Sequence, residues 1–595
     1  MHRIAIGLLM LAYCLPAAYA TLWADTARDL GASLSLARGE AIPLTGAPIN
    51  FGPRSGPAWV WLQAIPLPFF PSFSAVAIFV AFVASFKFPL LYALGRRHSG
   101  PALGLAIAAA AAYPTFNTFQ WIVFFHPNWV EVFVAASLLL FLLADQRRSL
   151  AMVYGAAAML GLAVQMHATA VFYMPVALLV MHRIGIRGGR LAGHFAAMAM
   201  LVMAWFAPVV LAPPIERGAF ADATGRVAAD LARFAPASIV AALRNTYVDI
   251  PLAVGETYAR TIPRGAWIGG LCVVWIAVIA GAFLSVRSRT TRFAFVAALC
   301  ALIAGWVIAV AVRTYTSFYL VYFLLPLSAI VMGLALAGSL SSGPRATRAA
   351  GWTSIAVLVL SLFVTAYGAR GIGRSGLIES RFLSMGDVSH PADASVRAAY
   401  MTAAARDALA RDICRLGDSN VTLHGELAQA WSLSMGLDYR LHCPALARRL
   451  STFGAGPGHH LTALPEAVAA SLGVNAGRKE RGMRLVDSVE PVFPRETRPI
   501  ETAWYHFEVL QDPRALERVA LDFETRPGQW VTVYRHKPYA SRWQSFRVTR
   551  DGTAAPEAFT TFHSWIYVAG DRAARWHVEF ETDAPQWTEV LLFPR

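Results

Sequence analysis

Long apolar runs with short polar interruptions fill the first 370 or so positions, at about 4–22, 73–95, 101–125, 129–145, 149–166, 168–182, 191–212, 265–286, 293–312, 318–339 and 350–368. A run of that length crosses, or nearly crosses, about 30 Å of hydrocarbon. The pattern therefore predicts about eleven transmembrane helices. The stretches 101–144 and 149–182 are each almost unbroken, and arginines divide them. Arg96 and Arg97 precede the first stretch, Arg147 and Arg148 follow it, and Arg183, Arg187 and Arg190 close the second. If basic clusters stay on one side of the membrane, each stretch must be a hairpin. Arg287, Arg289, Arg292, Arg345 and Arg348 then fall on that same side, and the chain beyond about 369 emerges on the other.

Past that point the period changes. Residues 396–416 have helical spacing, whereas VALDFETRPGQWVTVYRHK, WIYVAG, WHVEFET and WTEVLLF alternate apolar and polar positions between turns. The expected architecture is an all-α polytopic membrane domain, residues 1–368, followed by a soluble extracytoplasmic domain of α+β or β-sandwich class, residues 369–595. Two polar loops, 23–72 and 213–264, lie opposite the basic clusters. The second has the spacing of an amphipathic helix resting on the membrane, for which a lid without catalytic residues is the simplest role.

Composition agrees with a membrane protein: 56% of the 595 residues are hydrophobic, 15% are charged and the mean hydropathy is +0.49. The net charge of +15 comes from short clusters between apolar runs, which is a topology signal and not a nucleic-acid surface. The opening MHRIAIGLLMLAYCLPAAYA has the features of a cleavable signal. A retained span is the reading preferred here, because it anchors the following loop at both ends. Cys14, Cys272 and Cys300 sit in apolar runs; Cys414 and Cys443 sit in polar sequence and are available for a disulfide if that region is extracytoplasmic.

Candidate chemistry gathers at the polar tips. Asp25, Arg28 and Asp29 share one helical face by their spacing. A carboxylate where the chain leaves the membrane is costly unless hydrated, paired or functional, and a helix start with Arg28 pairing one acid accounts for the cluster equally well. Arg54 lies in a Gly-Pro-Arg-Ser-Gly-Pro turn, where it could grip a phosphate or stay solvated. His126, Asn128 and Glu131 fall within about a turn and a half of a span's start, either a polar corner for sugar hydroxyls or a metal, or a helix cap. His167, at the apex of an apolar hairpin, is a core histidine or a substrate contact. Arg313 stands in a short loop beside Tyr315, Tyr319 and Tyr322, on the side opposite the basic clusters and contrary to the charge rule for short loops, which an anionic ligand would explain. No cofactor is assigned, and a divalent metal ion stays open.

The string Asp25-Thr-Ala-Arg28-Asp29, then Gly31-Ala-Ser-Leu-Ser, Arg38-Gly39, Pro43-Leu44-x-Gly46 and Gly52-Pro53-Arg54-Ser55-Gly56-Pro57, resembles the first outer loop of GT-C fold glycosyltransferases. It is most similar to the bacterial, glycosyltransferase family 39-like branch related to protein O-mannosyltransferases and lipid A aminoarabinose transferases. His126-Pro127-Asn128-Trp129, Gln165-Met166-His167-Ala-Thr169, and Arg313-x-Tyr315 with Tyr319 and Tyr322 before Pro326 extend the resemblance over about residues 1–370. It implies transfer of a sugar from a polyprenyl-phosphate carrier to an envelope lipid, glycan or protein at the outer face of a bacterial inner membrane, with the C-terminal domain periplasmic. In that family the first acid after the first span acts on the acceptor; the role falls on Asp25, with Asp29 in reserve. The chain departs from the best-characterised branches in lacking an Asp-Glu pair at the first acid and any acidic motif in the next tip beyond Glu131, which leaves a metal site unassigned. The alternatives are a lipid-linked sugar transporter or flippase, which calls for ionisable groups at mid-membrane depth, and a non-enzymatic scaffold.

Overall fold

The computed structural model describes residues 2–20, 24–46, 54–117, 126–212, 235–288, 292–311, 318–342, 344–374, 377–379, 399–416, 420–425, 442–443, 450–452, 454–455, 457–480, 483–487, 489–492, 498–499, 515–535, 543–560, 564–582 and 588–594. Most of the expected amphipathic loop, residues 213–234, lies outside them.

Among the described residues, seven helices are long and apolar enough to cross a membrane: His2–Tyr19, Phe73–Ser99, His126–Arg147, Arg264–Arg287, Arg292–Ala311, Val321–Ser341 and Arg345–Arg374. Four shorter apolar helices, Pro101–Ala110, Leu150–Met166, Ala168–Arg183 and Gly188–Ala204, fill the remaining runs. Prolines set where regular α-helix begins in two of the eleven, one short and one long. Proline supplies no N–H to the ladder and suits a helix's first turn, so regular α-helix starts at Met174 and Leu325, beside Pro175 and Pro326, after 3₁₀ turns Ala168–Tyr173 and Phe318–Leu324. The expected boundary at 368 falls inside the last helix, which is continuous from Arg345 to Arg374.

The helices pack as membrane helices do. In Arg264–Arg287, Val274, Ala277 and Gly281 are buried, while Ile276, Ile279 and Phe283 are exposed, so the outward face is as apolar as the inward one. A Cβ at Gly281 would overlap the Ala335 carbonyl, and Ser339 Oγ donates to Ala277 O at 2.8 Å. Small residues bring these two backbones together where no water exists to drive association.

Three basic clusters converge at one end. Gln146 Nε2 donates to Arg97 O at 2.9 Å, Arg183 Nε meets Asp145 Oδ1 at 2.9 Å, and Arg148 donates to Arg183 O. The 27-residue span Phe73–Ser99 sets Phe73 about 40 Å along its axis from that end. There Ala403 N donates to Ala20 O at 2.7 Å, and Asp407 closes the helix that begins at Phe73, so the C-terminal domain is docked opposite the basic clusters.

That domain combines both expected classes. A six-stranded mixed sheet, with parallel pairing of Val421–Leu423 to Leu450–Thr452 and to His459–Pro465, carries helices Ala403–Cys414 and Glu466–Ser471. Antiparallel sheets of four and five strands form a sandwich. The five-stranded sheet is covered on both faces. Val531, Val533 and Tyr567 pack with Trp576 and Val578 of the four-stranded sheet, whereas Trp530, Ile566 and Phe593 pack against Leu464, Val468 and Val486. Alternation with period two assigns each side chain to its core. Cys414 and Cys443 are joined in a disulfide.

Candidate active site

Helix Ala24–Ala37 carries Asp25, Arg28 and Asp29. Its inner face is Thr26, Asp29, Leu30, Ser33 and Leu34, all buried, at the 3–4 residue spacing of an amphipathic helix. Ser33 fixes it against the next helix, Ala58–Ala64: its hydroxyl has Asp29 O at 2.8 Å, Val60 O at 3.0 Å and Gln63 Oε1 at 3.1 Å as acceptors. Nothing is described for the Asp25 side chain beyond its place in the helix.

Asp29 is 2% exposed and doubly engaged. Arg28 reaches Oδ1 with Nε at 2.9 Å and Nη2 at 2.8 Å, and His126 Nδ1 lies 3.7 Å from Oδ2. Burial alone would raise its pKa, but the Arg28 guanidinium, and then His126, hold the carboxyl below its ordinary value. Asp29 is thus a fixed, compensated anion.

His126 opens the 3₁₀ turn His126–Trp129, from which helix Val130–Arg147 runs about 27 Å to the basic end. Trp59 stands edge-on to both His126 and Trp129, at 6.4 and 5.0 Å between ring centroids, and Trp129 Nε1 donates to Val80 O at 2.9 Å. Two buried donors in this wall, Trp59 Nε1 and Gln63 Nε2, have no hydrogen-bond partner among the described residues. Asn128 is buried in the same turn.

The glycine-rich turn is pinned to the end of Leu150–Met166. Gln165 Oε1 accepts from Ala58 N at 2.8 Å and its Nε2 donates to Trp205 O, while a Cβ at Gly56 would overlap the Gln165 carboxamide. Gly46 N donates to Ser55 O at 2.8 Å, and a Cβ at Gly46 would strike Gly56 O, so both glycines are required by close backbone approach. Arg54, half-buried beside them, has no ion pair among the described residues. His167 caps the Gln165 helix, with Nδ1 2.6 Å from Thr169 Oγ1.

The structure therefore brings Arg28, Asp29 and His126 together, with Asn128 in the same turn as His126, and sets His167 and Arg54 close in sequence to the contact between Gln165 and the glycine-rich turn. Glu131 is turned elsewhere: its Oε2 meets Lys87 Nζ at 2.8 Å in the bundle interior. Arg313 and Tyr315 lie outside the described residues, as does the side chain of Tyr319. No group of three or more His, Cys, Asp or Glu among the described residues is placed to hold a metal ion.

Lys87, Trp59 and Gln63 escaped the reading of the sequence. A lone lysine inside an apolar run was the available signal for Lys87, and it corrects the expectation that ionisable groups keep to the tips. Trp59 and Gln63 share a helical face at i and i+4, immediately after the glycine-rich turn.

No protein-family model matches the chain, and no curated protein matches it. Among solved structures, ArnT from Cupriavidus metallidurans bound to undecaprenyl phosphate is similar at a TM-score of 0.46 and 12% identity, over 81% of this chain and 97% of that one. The Archaeoglobus fulgidus oligosaccharyltransferase in the apo form is similar at a TM-score of 0.35 and 12% identity, over 75% of this chain and 64% of that one. Arabinosyltransferase EmbB from Mycobacterium smegmatis is similar at a TM-score of 0.30 and 12% identity, over 99% and 64% respectively. The fold and the cluster define a multi-pass membrane protein with a polar, partly orphaned site at one end of its helical bundle. A β-rich domain is docked at that same end.

Proposed function

We propose that the chain is a glycosyltransferase that moves a hexosyl or pentosyl group from a polyprenyl-phosphate carrier to a lipid, polysaccharide or protein acceptor at the outer face of a bacterial inner membrane. The observation that carries this reading is the Arg28–Asp29–His126 cluster, built where the first loop meets a span tip at the end opposite the basic clusters. A general base must hold its lone pairs available to the acceptor hydroxyl. Asp29, buried, paired with the Arg28 guanidinium and close to His126, is an orienting group. Asp25, one turn earlier on the same helical face, takes the proton.

As that proton moves to Asp25, the acceptor oxygen attacks the anomeric carbon and the bond from that carbon to the carrier phosphate breaks. Negative charge returns to the phosphate, and Arg54, with no ion pair of its own among the described residues, together with Arg313, meets it. Trp59 Nε1 and Gln63 Nε2, buried donors without partners among the described residues, are suited to sugar hydroxyls. The Cys414–Cys443 disulfide supports a periplasmic C-terminal domain, because such bonds persist in oxidising compartments.

The test is reconstitution of the purified chain into vesicles with a radiolabelled polyprenyl-phosphate sugar and isolated envelope acceptors. Label recovered on the acceptor supports the proposal. Labelled carrier crossing the bilayer with no transfer would establish the transporter reading, which a buried intramembrane lysine would also suit.

A further inference from the structure

Lys87 is completely buried in the middle of the span Phe73–Ser99. Its Nζ lies 2.8 Å from Glu131 Oε2 and 3.0 Å from Phe116 O, with the Tyr13 ring centroid at 4.6 Å and the Phe88 ring centroid at 5.5 Å. Four segments meet at one ammonium: the first span, the second span, the tip following Pro101–Ala110, and the first turn of Val130–Arg147.

Stability does not explain such a pair. Stripping water from two charges costs more than their attraction commonly returns, and apolar residues of equal volume are often as stable or more so. Ion pairs of this kind are best attested as devices that select one arrangement over others. The arrangement selected here can be read from the chain. Glu131 follows directly on the turn His126–Trp129, and the same span grips that turn again where Val80 O accepts from Trp129 Nε1. The two grips oppose sliding of the turn along the span, and the turn is what presents His126 to Asp29 at 3.7 Å.

We infer that Lys87 and Glu131 are a positioning pair that sets His126 against Asp29, and that neither contacts substrate. The inference deepens the transferase reading and rests on it for its kinetic consequence, though not for its structural one. Lys87 also holds the Phe116 carbonyl, and the neighbouring Thr115 Oγ1 and Tyr113 OH donate to Thr246 O and Tyr247 O at 2.6 and 2.5 Å. The pair thus ties the site to the π-helical turn Asn245–Asp249, a distortion that recurs at functional sites.

The test compares the full-length wild type with Lys87→Met/Glu131→Leu in detergent and in vesicles, following thermal unfolding, turnover, KM for the polyprenyl-phosphate sugar, and the rate at which diethyl pyrocarbonate modifies His126, read by mass spectrometry of its peptide. The expected result is an unfolding temperature no lower than wild type, turnover reduced about ten- to a hundredfold at unchanged KM, and faster modification of His126. Wild-type turnover together with wild-type His126 modification would overturn the proposal. If the double variant does not fold, the shape-preserving Glu131→Gln variant decides: faster His126 modification supports positioning, and an unchanged rate overturns it. If the wild type itself transfers no sugar, the transferase reading fails while the His126 rate still decides the positioning claim.

Discussion

Asp407, in helix Ala403–Cys414 of the C-terminal domain, accepts a 2.6 Å hydrogen bond from Ser74 Oγ at the start of a membrane span. Its carboxylate also takes Phe73 N at 3.2 Å and Ser74 N at 3.1 Å, and His442 Nε2 lies 3.1 Å away. A side chain some 330 residues away in sequence thus serves the otherwise unpaired donors of a helix N-terminus.

Replacing Asp407 by Ala should cost about 1–2 kcal/mol, the usual loss for an N-terminal cap, measured as a lower unfolding temperature in detergent. The pH dependence has a definite sign. Burial would raise the Asp407 pKa, but His442, Ser74 and the Phe73 amide more than offset it and the pKa is depressed. A depressed carboxyl contributes stability that is complete above the unfolded value of about 3.9 and is lost as pH falls through the lower folded value. Stability from this contact should be flat from neutrality down to about pH 4 and decline below it. An acid loss already present at pH 6 would assign it to other groups.

The disulfide secures the same junction. Cys414 ends the helix that bears Asp407, and Cys443 follows the histidine that meets it; the bond closes a separation of 29 residues. Loop-closure entropy gives about 3–4 kcal/mol for a loop of that size. The Cys414→Ser/Cys443→Ser variant should unfold its C-terminal domain at lower temperature, while Arg264–Arg287 and its neighbours keep their helical signal in circular dichroism. Equal unfolding temperatures would remove the disulfide from the account.

Gly56 and Gln165 should be energetically coupled. A Cβ at Gly56 displaces the Gln165 carboxamide that holds Ala58 N, so Gly56→Ala is expected to cost about 1–3 kcal/mol by overpacking. Combined with Gln165→Ala the added cost should shrink, because the obstruction is gone. Additive losses in a double-mutant cycle would contradict the contact.

Asp29→Asn removes the anion that faces Arg28 and His126 and should destabilise the loop by up to about 3 kcal/mol, since it leaves the largely buried Arg28 guanidinium without its counter-charge. Asp29 has a depressed pKa like Asp407, so its contribution is likewise present above the unfolded carboxyl value and lost only as pH falls through the lower folded one. Asp25→Asn, which exchanges a base for a group of nearly the same shape, should leave stability within about 0.5 kcal/mol of wild type. Unfolding temperatures of the two variants separate these roles.

The order of elements was legible because it is written in local pattern. Every expected apolar run holds a helix, and the strand segments near the C-terminus fall on Glu517–Thr525, Gln529–Arg535, Ser564–Val568, Ala574–Thr582 and Thr588–Pro594. The arginine parity was legible for the same reason, and Arg97, Arg148 and Arg183 do share an end. Residues paired across long separations were not. Nothing near Asp407 announces that it caps Phe73, and Lys87 finds Glu131 only once two spans are packed. The choice between α+β and sandwich could not be made because both are present, sharing one sheet whose alternate side chains serve different cores. At the site, spacing put Asp25, Arg28 and Asp29 on one face, but which acid Arg28 pairs with depends on His126, which arrives from another loop.

Asp25, and not Asp29, is the residue proposed to take the acceptor's proton. The most direct test of that role is single-turnover transfer of labelled sugar by folded, vesicle-embedded Asp25→Asn. The expected result is a rate lower by about 10²–10⁴-fold, the range for losing a general base, with carrier binding unchanged. Transfer at the wild-type rate would show that Asp25 is not the base.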